Sequence, residues 1–118
     1  VARRDTREKT QLNIDCDIVT EIKNLMKDIQ QNLYDKALAR RNELTFECHN
    51  MAEVEKVMNT QPGFVKAMWC GDEECELKMK EIRGTKSRCI IENEPHIDDK
   101  CVVCGKKAKH FVVWGIQY

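Results

Sequence analysis

No apolar run in this chain is long enough to span a bilayer, and no stretch has the basic, apolar and small-residue order of a secretory signal. A membrane location is set aside, and a soluble, cytoplasmic protein is the expectation. A mean hydropathy of −0.60 with 34% charged residues agrees with it. An excess of one charge is also missing: 20 Lys and Arg oppose 20 Asp and Glu, so no global field draws the chain to nucleic acid or anionic lipid. Any RNA contact would come from local patches. A Gly-rich phosphate loop, a convincing carboxylate pair, internal repeats and low-complexity segments are all absent, and no complete active site assembles from what remains. Even the initiator methionine is missing. The opening Val1-Ala-Arg-Arg-Asp-Thr6 reads as the tail of a strand running into a charged turn, so a piece of something longer is expected.

Cysteine, by contrast, is plentiful. Seven is an odd number that cannot close a disulfide framework, and in a reducing compartment closely spaced cysteines more often bind metal. At 118 residues and 13.8 kDa the chain can bury one modest core.

From Asp15 or Asp17, either able to cap a helix, the apolar residues Ile18, Ile22, Leu25, Met26, Ile29, Leu33 and Ala37 recur at steps of three and four. This predicts a long amphipathic helix ending near Asn42, its polar face a solvated mixture of charges. Leu44 to His49 alternates, with Phe46 and Cys48 inward, as a short half-buried strand does. Asn50 and Glu53 then form a capping-box pattern before Val54, Val57 and Met58 on one helical face. After Pro62-Gly63 a strand over 64–69 runs directly into Cys70. Asp72 is a candidate cap for a third helix that carries Cys75, Leu77 and Ile82 and stops at Gly84. Strands follow over 87–92 and 109–114, with an acidic loop from Asn93 to Lys100 between them. Alternating helices and short strands predict an α+β fold, a two-layer mixed β-sheet with helices packed on one face.

The cysteine spacing is C-x4-C at Cys70 and Cys75, then 25 residues, then C-x2-C-G at Cys101 and Cys104. Each pair offers two thiolates from one local turn, and the segment between them folds back to close a tetrahedral cage. The reading is a four-cysteine zinc knuckle. With every position taken by sulfur, such a site is structural and not hydrolytic. A redox Cys-x-x-Cys belongs at a strand-to-helix junction, whereas Cys104-Gly-Lys-Lys-Ala-Lys109 leads into a strand. A redox pair, disulfides and inert buried thiols stay open as minor readings. Cys16, Cys48 and Cys89 stand alone and are expected to be buried small hydrophobes. A Cys-His dyad at Cys48 and His49 is disfavoured, since adjacent strand residues point to opposite faces. Two basic clusters, Arg3, Arg4, Arg7 and Lys9, and Lys106, Lys107, Lys109 and His110, could grip phosphates or be merely solvated.

Ala2-Arg-Arg-Asp-Thr-Arg-Glu-Lys9, Met68-Trp-Cys-Gly-Asp-Glu-Glu-Cys75, Ser87-Arg-Cys-Ile90, Lys100-Cys-Val-Val-Cys-Gly-Lys-Lys-Ala-Lys109 and Trp114-Gly-Ile-Gln-Tyr118 are spread in that order along nearly the whole chain. Together they resemble the C-terminal part of prolyl-tRNA synthetases of the archaeal and eukaryotic-like type. That resemblance implies a class II enzyme that uses ATP to join proline to tRNA(Pro) through a prolyl-adenylate, as a homodimer. It implies that residues 1–14 end an anticodon-binding domain and linker, and that 15–118 form a zinc-binding C-terminal domain. It makes Cys70, Cys75, Cys101 and Cys104 the zinc ligands and excludes Cys89. It also makes Arg3 and Arg4 candidate tRNA contacts, and sends the carboxylate of Tyr118 toward the catalytic domain. The catalytic domain itself is not within these residues, so the segment alone is expected to be inactive. The competing expectation is a stand-alone zinc-stabilised adaptor binding RNA or protein; a reading frame continuing upstream of Val1 into a class II catalytic domain separates the two.

Overall fold

The computed structural model describes residues 1–117, which fall into two compact units, Val1–Asn42 and a second from Glu43 onward. The first unit opens on a small antiparallel bridge between Ala2 and Lys9, with the Arg3 amide donating to the Glu8 carbonyl at 2.8 Å. The expected strand tail is thus a bridge closed by a charged turn. Its Asp5 carboxylate accepts from the Arg3 guanidinium at 3.1 and 2.9 Å and from the Asn32 amide at 2.6 Å. The Arg3 pairing, then Asn32, holds that carboxyl far below the usual carboxylate range.

Asn32 sits on α1 (Ile18–Glu43), the long helix the three- and four-residue spacing predicts. Of the two candidate caps it is Asp17 that serves, accepting from the Thr20 amide at 3.2 Å and the Thr20 hydroxyl at 2.6 Å. The amphipathic face is not packed away, however. No α1 residue is buried, and Met26 and Leu33 stay 62% and 52% exposed. Spacing dictates which side of a helix is apolar; it does not supply a surface to cover it.

The second unit contains β1 (Thr45–Glu47), α2 (Met51–Thr60), β2 (Phe64–Trp69), α3 (Glu73–Glu81), β3 (Thr85–Ile90) and β4 (His110–Ile116). The four strands make one mixed sheet in the order β1-β2-β4-β3, with β1 parallel to β2 and β4 antiparallel to both of its neighbours. The last strand is therefore inserted between β2 and β3. Register sets Val65 opposite Trp114 and Ala67 opposite Val112, so these four share one face. On that face α2 contributes Val54 and Met58 and α3 contributes Met79, and all seven side chains are buried in one core cluster. Both helices of this unit thus lie on one side of the sheet, as the sequence predicts.

On the opposite face Met68 and Phe111 are paired across β2 and β4 and are equally buried. The acidic loop after β3 reaches over this side: His96 meets the Phe111 ring edge-on at 6.4 Å, and Glu94 takes both hydrogen bonds from Lys66. Asn50 caps α2, accepting from the Glu53 amide at 2.9 Å, while the Glu53 carboxylate reaches back to the His49 amide at 2.7 Å. The capping box is present, with its return arm one residue earlier than usual.

Candidate metal centre

β2 carries the chain into the centre. Its final residue Trp69 precedes Cys70, and Gly71 adopts φ +95°, a left-handed turn open to glycine at little steric cost. This turn brings Cys75 back in the first turn of α3. Asp72 occupies the cap position without a side-chain capping bond, which corrects the expected role of its carboxylate. Its backbone acts instead: the carbonyl accepts from the Cys75 amide at 3.1 Å and from the Trp69 indole at 3.2 Å.

The second pair lies on a tight hairpin. Lys100 bridges Lys107, the Cys101 amide donates to the Lys106 carbonyl at 2.7 Å, and the Gly105 amide donates to the Cys101 carbonyl at 3.0 Å. Gly105 has φ +70°, which closes the turn. The Val102 amide then bonds the Met68 carbonyl at 2.9 Å, tying the hairpin to β2 beside the first pair.

Two turns far apart in sequence are thereby brought together. Among the described residues, the sulfurs of Cys70, Cys75, Cys101 and Cys104 lie within 4.8 Å of one another, with Cys70 at 3.6 Å from Cys75 and 3.7 Å from Cys104. Four sulfurs at these separations fit the corners of a tetrahedron around a metal with bonds of ~2.3 Å. Cys70, Cys75 and Cys101 are buried and Cys104 is exposed, while Trp69 and Val103 pack against the group.

Burial pushes the Cys70 and Cys75 thiols well up, and for Cys75 the neighbouring thiols add to it. The start of α3 therefore does not make Cys75 a thiolate by itself; desolvation, with the neighbouring thiols, keeps its proton in place. Cys104 is different: the Lys106 amide pointing at its sulfur draws the thiol down to about 7. Sequence reasoning missed the aromatic wall. Trp69 meets His110 at 5.9 Å and Trp114 edge-on at 6.0 Å, and the position of Trp69 directly before Cys70 was the available signal.

The remaining candidates fall elsewhere. Cys48 is buried in the core, as expected, but Cys16 is only half-buried and Cys89 is exposed. Cys89 stands on β3, an edge strand whose register shifts between Ser87 and Cys89. His49 points away from Cys48 and pairs with Asp98 at 3.3 Å, leaving no dyad. Arg3 is engaged by Asp5 while Arg4 is exposed. The expected contact of Tyr118 lies outside the described residues. No helix among them is long and apolar enough to cross a membrane.

Residues 51–118 match the family model described as "Prolyl-tRNA synthetase, C-terminal". Over the whole chain, proteins named proline–tRNA ligase are 43% identical in Clostridium novyi, 44% in Lachnoclostridium phytofermentans and 42% in Clostridium botulinum strain Okra. In each case the chain spans 24% of the relative's length. With a family match over residues 51–118, which include all four cysteines at the end of β2, this chain belongs to the prolyl-tRNA synthetase C-terminal family.

Proposed function

We propose that this segment is a zinc-stabilised C-terminal domain of a proline–tRNA ligase, contributing architecture to an enzyme whose chemistry is done elsewhere in the protein. The observation that carries it is the convergence of four sulfurs from two separate turns. Cys70, Cys75, Cys101 and Cys104 hold zinc, whose role is structural because an all-sulfur cage offers no vacancy for a reacting water. The names of the relatives support the wider reading that the full protein joins proline to tRNA; in that reading it does so at the expense of ATP, in the cytoplasm and as a homodimer. Its catalytic domain is the partner of this segment. Residues 1–14 finish an anticodon-binding domain and linker, 15–118 are the zinc domain, Arg3 and Arg4 face tRNA, and Tyr118 reaches toward the catalytic domain.

The test compares two cysteines. Cys101→Ser removes a ligand and with it metal-binding energy that is also folding energy; Cys89→Ser alters an exposed thiol outside the centre. Thermal unfolding of the zinc-loaded protein is expected to shift down by more than about 10 °C in the first variant and by less than about 2 °C in the second. Equal shifts would refute the ligand assignment.

A further inference from the structure

The four sulfurs are not equivalent. Cys70, Cys75 and Cys101 retain 4%, 5% and 2% of their surface, whereas Cys104 is an exposed residue whose part-buried sulfur is the most open of the four. Beyond Cys104 the turn opens outward: a Cβ added at Gly105 would meet nothing within 4 Å, and Lys106 and Lys107 are exposed as well. Behind Cys104, on the inner side, the Cys70 sulfur waits at 3.7 Å. One sulfur is thus more open to solvent than the other three, and a second stands where it can trap whatever happens to the first.

We propose, on the reading of these four cysteines as zinc ligands, that Cys104 is the point at which a hydroperoxide attacks the centre, and that Cys70 resolves the damage as a disulfide that expels the metal. In the first step a lone pair on the Cys104 sulfur attacks the outer oxygen of the hydroperoxide. The O–O bond breaks, the departing oxygen takes a proton from solvent and leaves as water or alcohol, and Cys104 becomes a sulfenic acid. In the second step the Cys70 thiolate attacks the Cys104 sulfur, an S–S bond forms, the S–O bond breaks, and hydroxide leaves and is protonated to water. Two electrons pass in all from the two cysteines to the hydroperoxide. Two of the four ligands are then tied to each other, and Cys75 and Cys101 alone cannot complete a tetrahedral cage. The separation of 3.7 Å must shrink to the ~2.05 Å of a disulfide, a movement that departure of the ion permits.

The test uses the whole chain loaded with zinc, its bound metal first quantified, and then hydrogen peroxide. Zinc release is followed with a chromogenic chelator and the products by peptide mapping. The expected result is release of the metal with one disulfide joining Cys70 to Cys104, reversed by a thiol reductant with added zinc. Cys104→His preserves a three-cysteine, one-histidine ligand set of a kind zinc accepts, and should slow release at least about tenfold. Cys89→Ser, which alters an exposed thiol outside the centre, should leave the rate unchanged. Release from Cys104→His at the original rate, or a disulfide joining any other pair, would overturn the proposal while leaving zinc binding intact. Absence of zinc before oxidation would overturn the metal reading and this proposal with it.

Discussion

Cys70 and Cys75 illustrate how one residue type is put to work by its surroundings. Both thiols hold their protons more tightly than a free cysteine because burial disfavours the charged form. A metal must displace those protons to bind, so zinc affinity is expected to rise as pH rises from about 6 to 8, with proton release measurable by calorimetry in buffers of different ionisation enthalpy. Cys104, drawn down to about 7 by the Lys106 amide, gives up fewer protons near neutrality. Binding without proton release would contradict this account. Cys48 sets a second pH dependence. Burial, with Glu53 nearby, pushes its thiol up to about 11 from 9.0, so the folded state keeps its proton longer than the unfolded chain does. The stability it contributes is complete below pH 9.0 and is lost as pH rises toward 11. In Cys48→Val that alkaline loss should diminish in urea unfolding measured between pH 8 and 11, and an unchanged profile would refute the assignment. Identity and spacing of the four clustered cysteines were readable from the sequence, because local turns carry them. The exposure of Cys89 was not, since it depends on which strand ends up at the sheet edge.

At the level of elements, local chemistry explains most of what formed. Asp17 and the Asn50–Glu53 pair start α1 and α2, and both starts were legible because capping needs only neighbouring residues. Asn50→Ala should cost about 1 kcal/mol in urea unfolding of the zinc-loaded protein, as loss of a cap usually does. A change indistinguishable from zero would mean the Glu53 amide finds water just as well. Gly105 belongs to the hairpin of the second cysteine pair, where φ +70° is unfavourable for any residue with a Cβ. Gly105→Ala should therefore destabilise by about 1–2 kcal/mol although the space beside it is open, separating backbone strain from crowding. Strand limits were less legible. β3 begins at Thr85, two residues before the expected start, because its partner Ile116 extends the ladder, and such pairing is a non-local fact.

For the whole molecule, what the sequence could not convey is order. Nothing local states that β4, last in the chain, lies between β2 and β3, or that β1 runs parallel to β2. That order is nonetheless what places the second cysteine pair, since the hairpin between β3 and β4 must pass the end of β2, where Cys70 and Cys75 are. The odd cysteine count, the spacing and the family resemblance all converge on this clamp. The apolar stripe of α1 is the opposite case, an evident pattern without a buried residue. The central claim is that the clamp closes on one zinc ion. Elemental analysis of protein purified under reducing conditions without chelators tests it most directly. One equivalent of zinc per chain, falling toward zero in Cys101→Ser and unchanged in Cys89→Ser, is the predicted result; no zinc in the unaltered chain would contradict it.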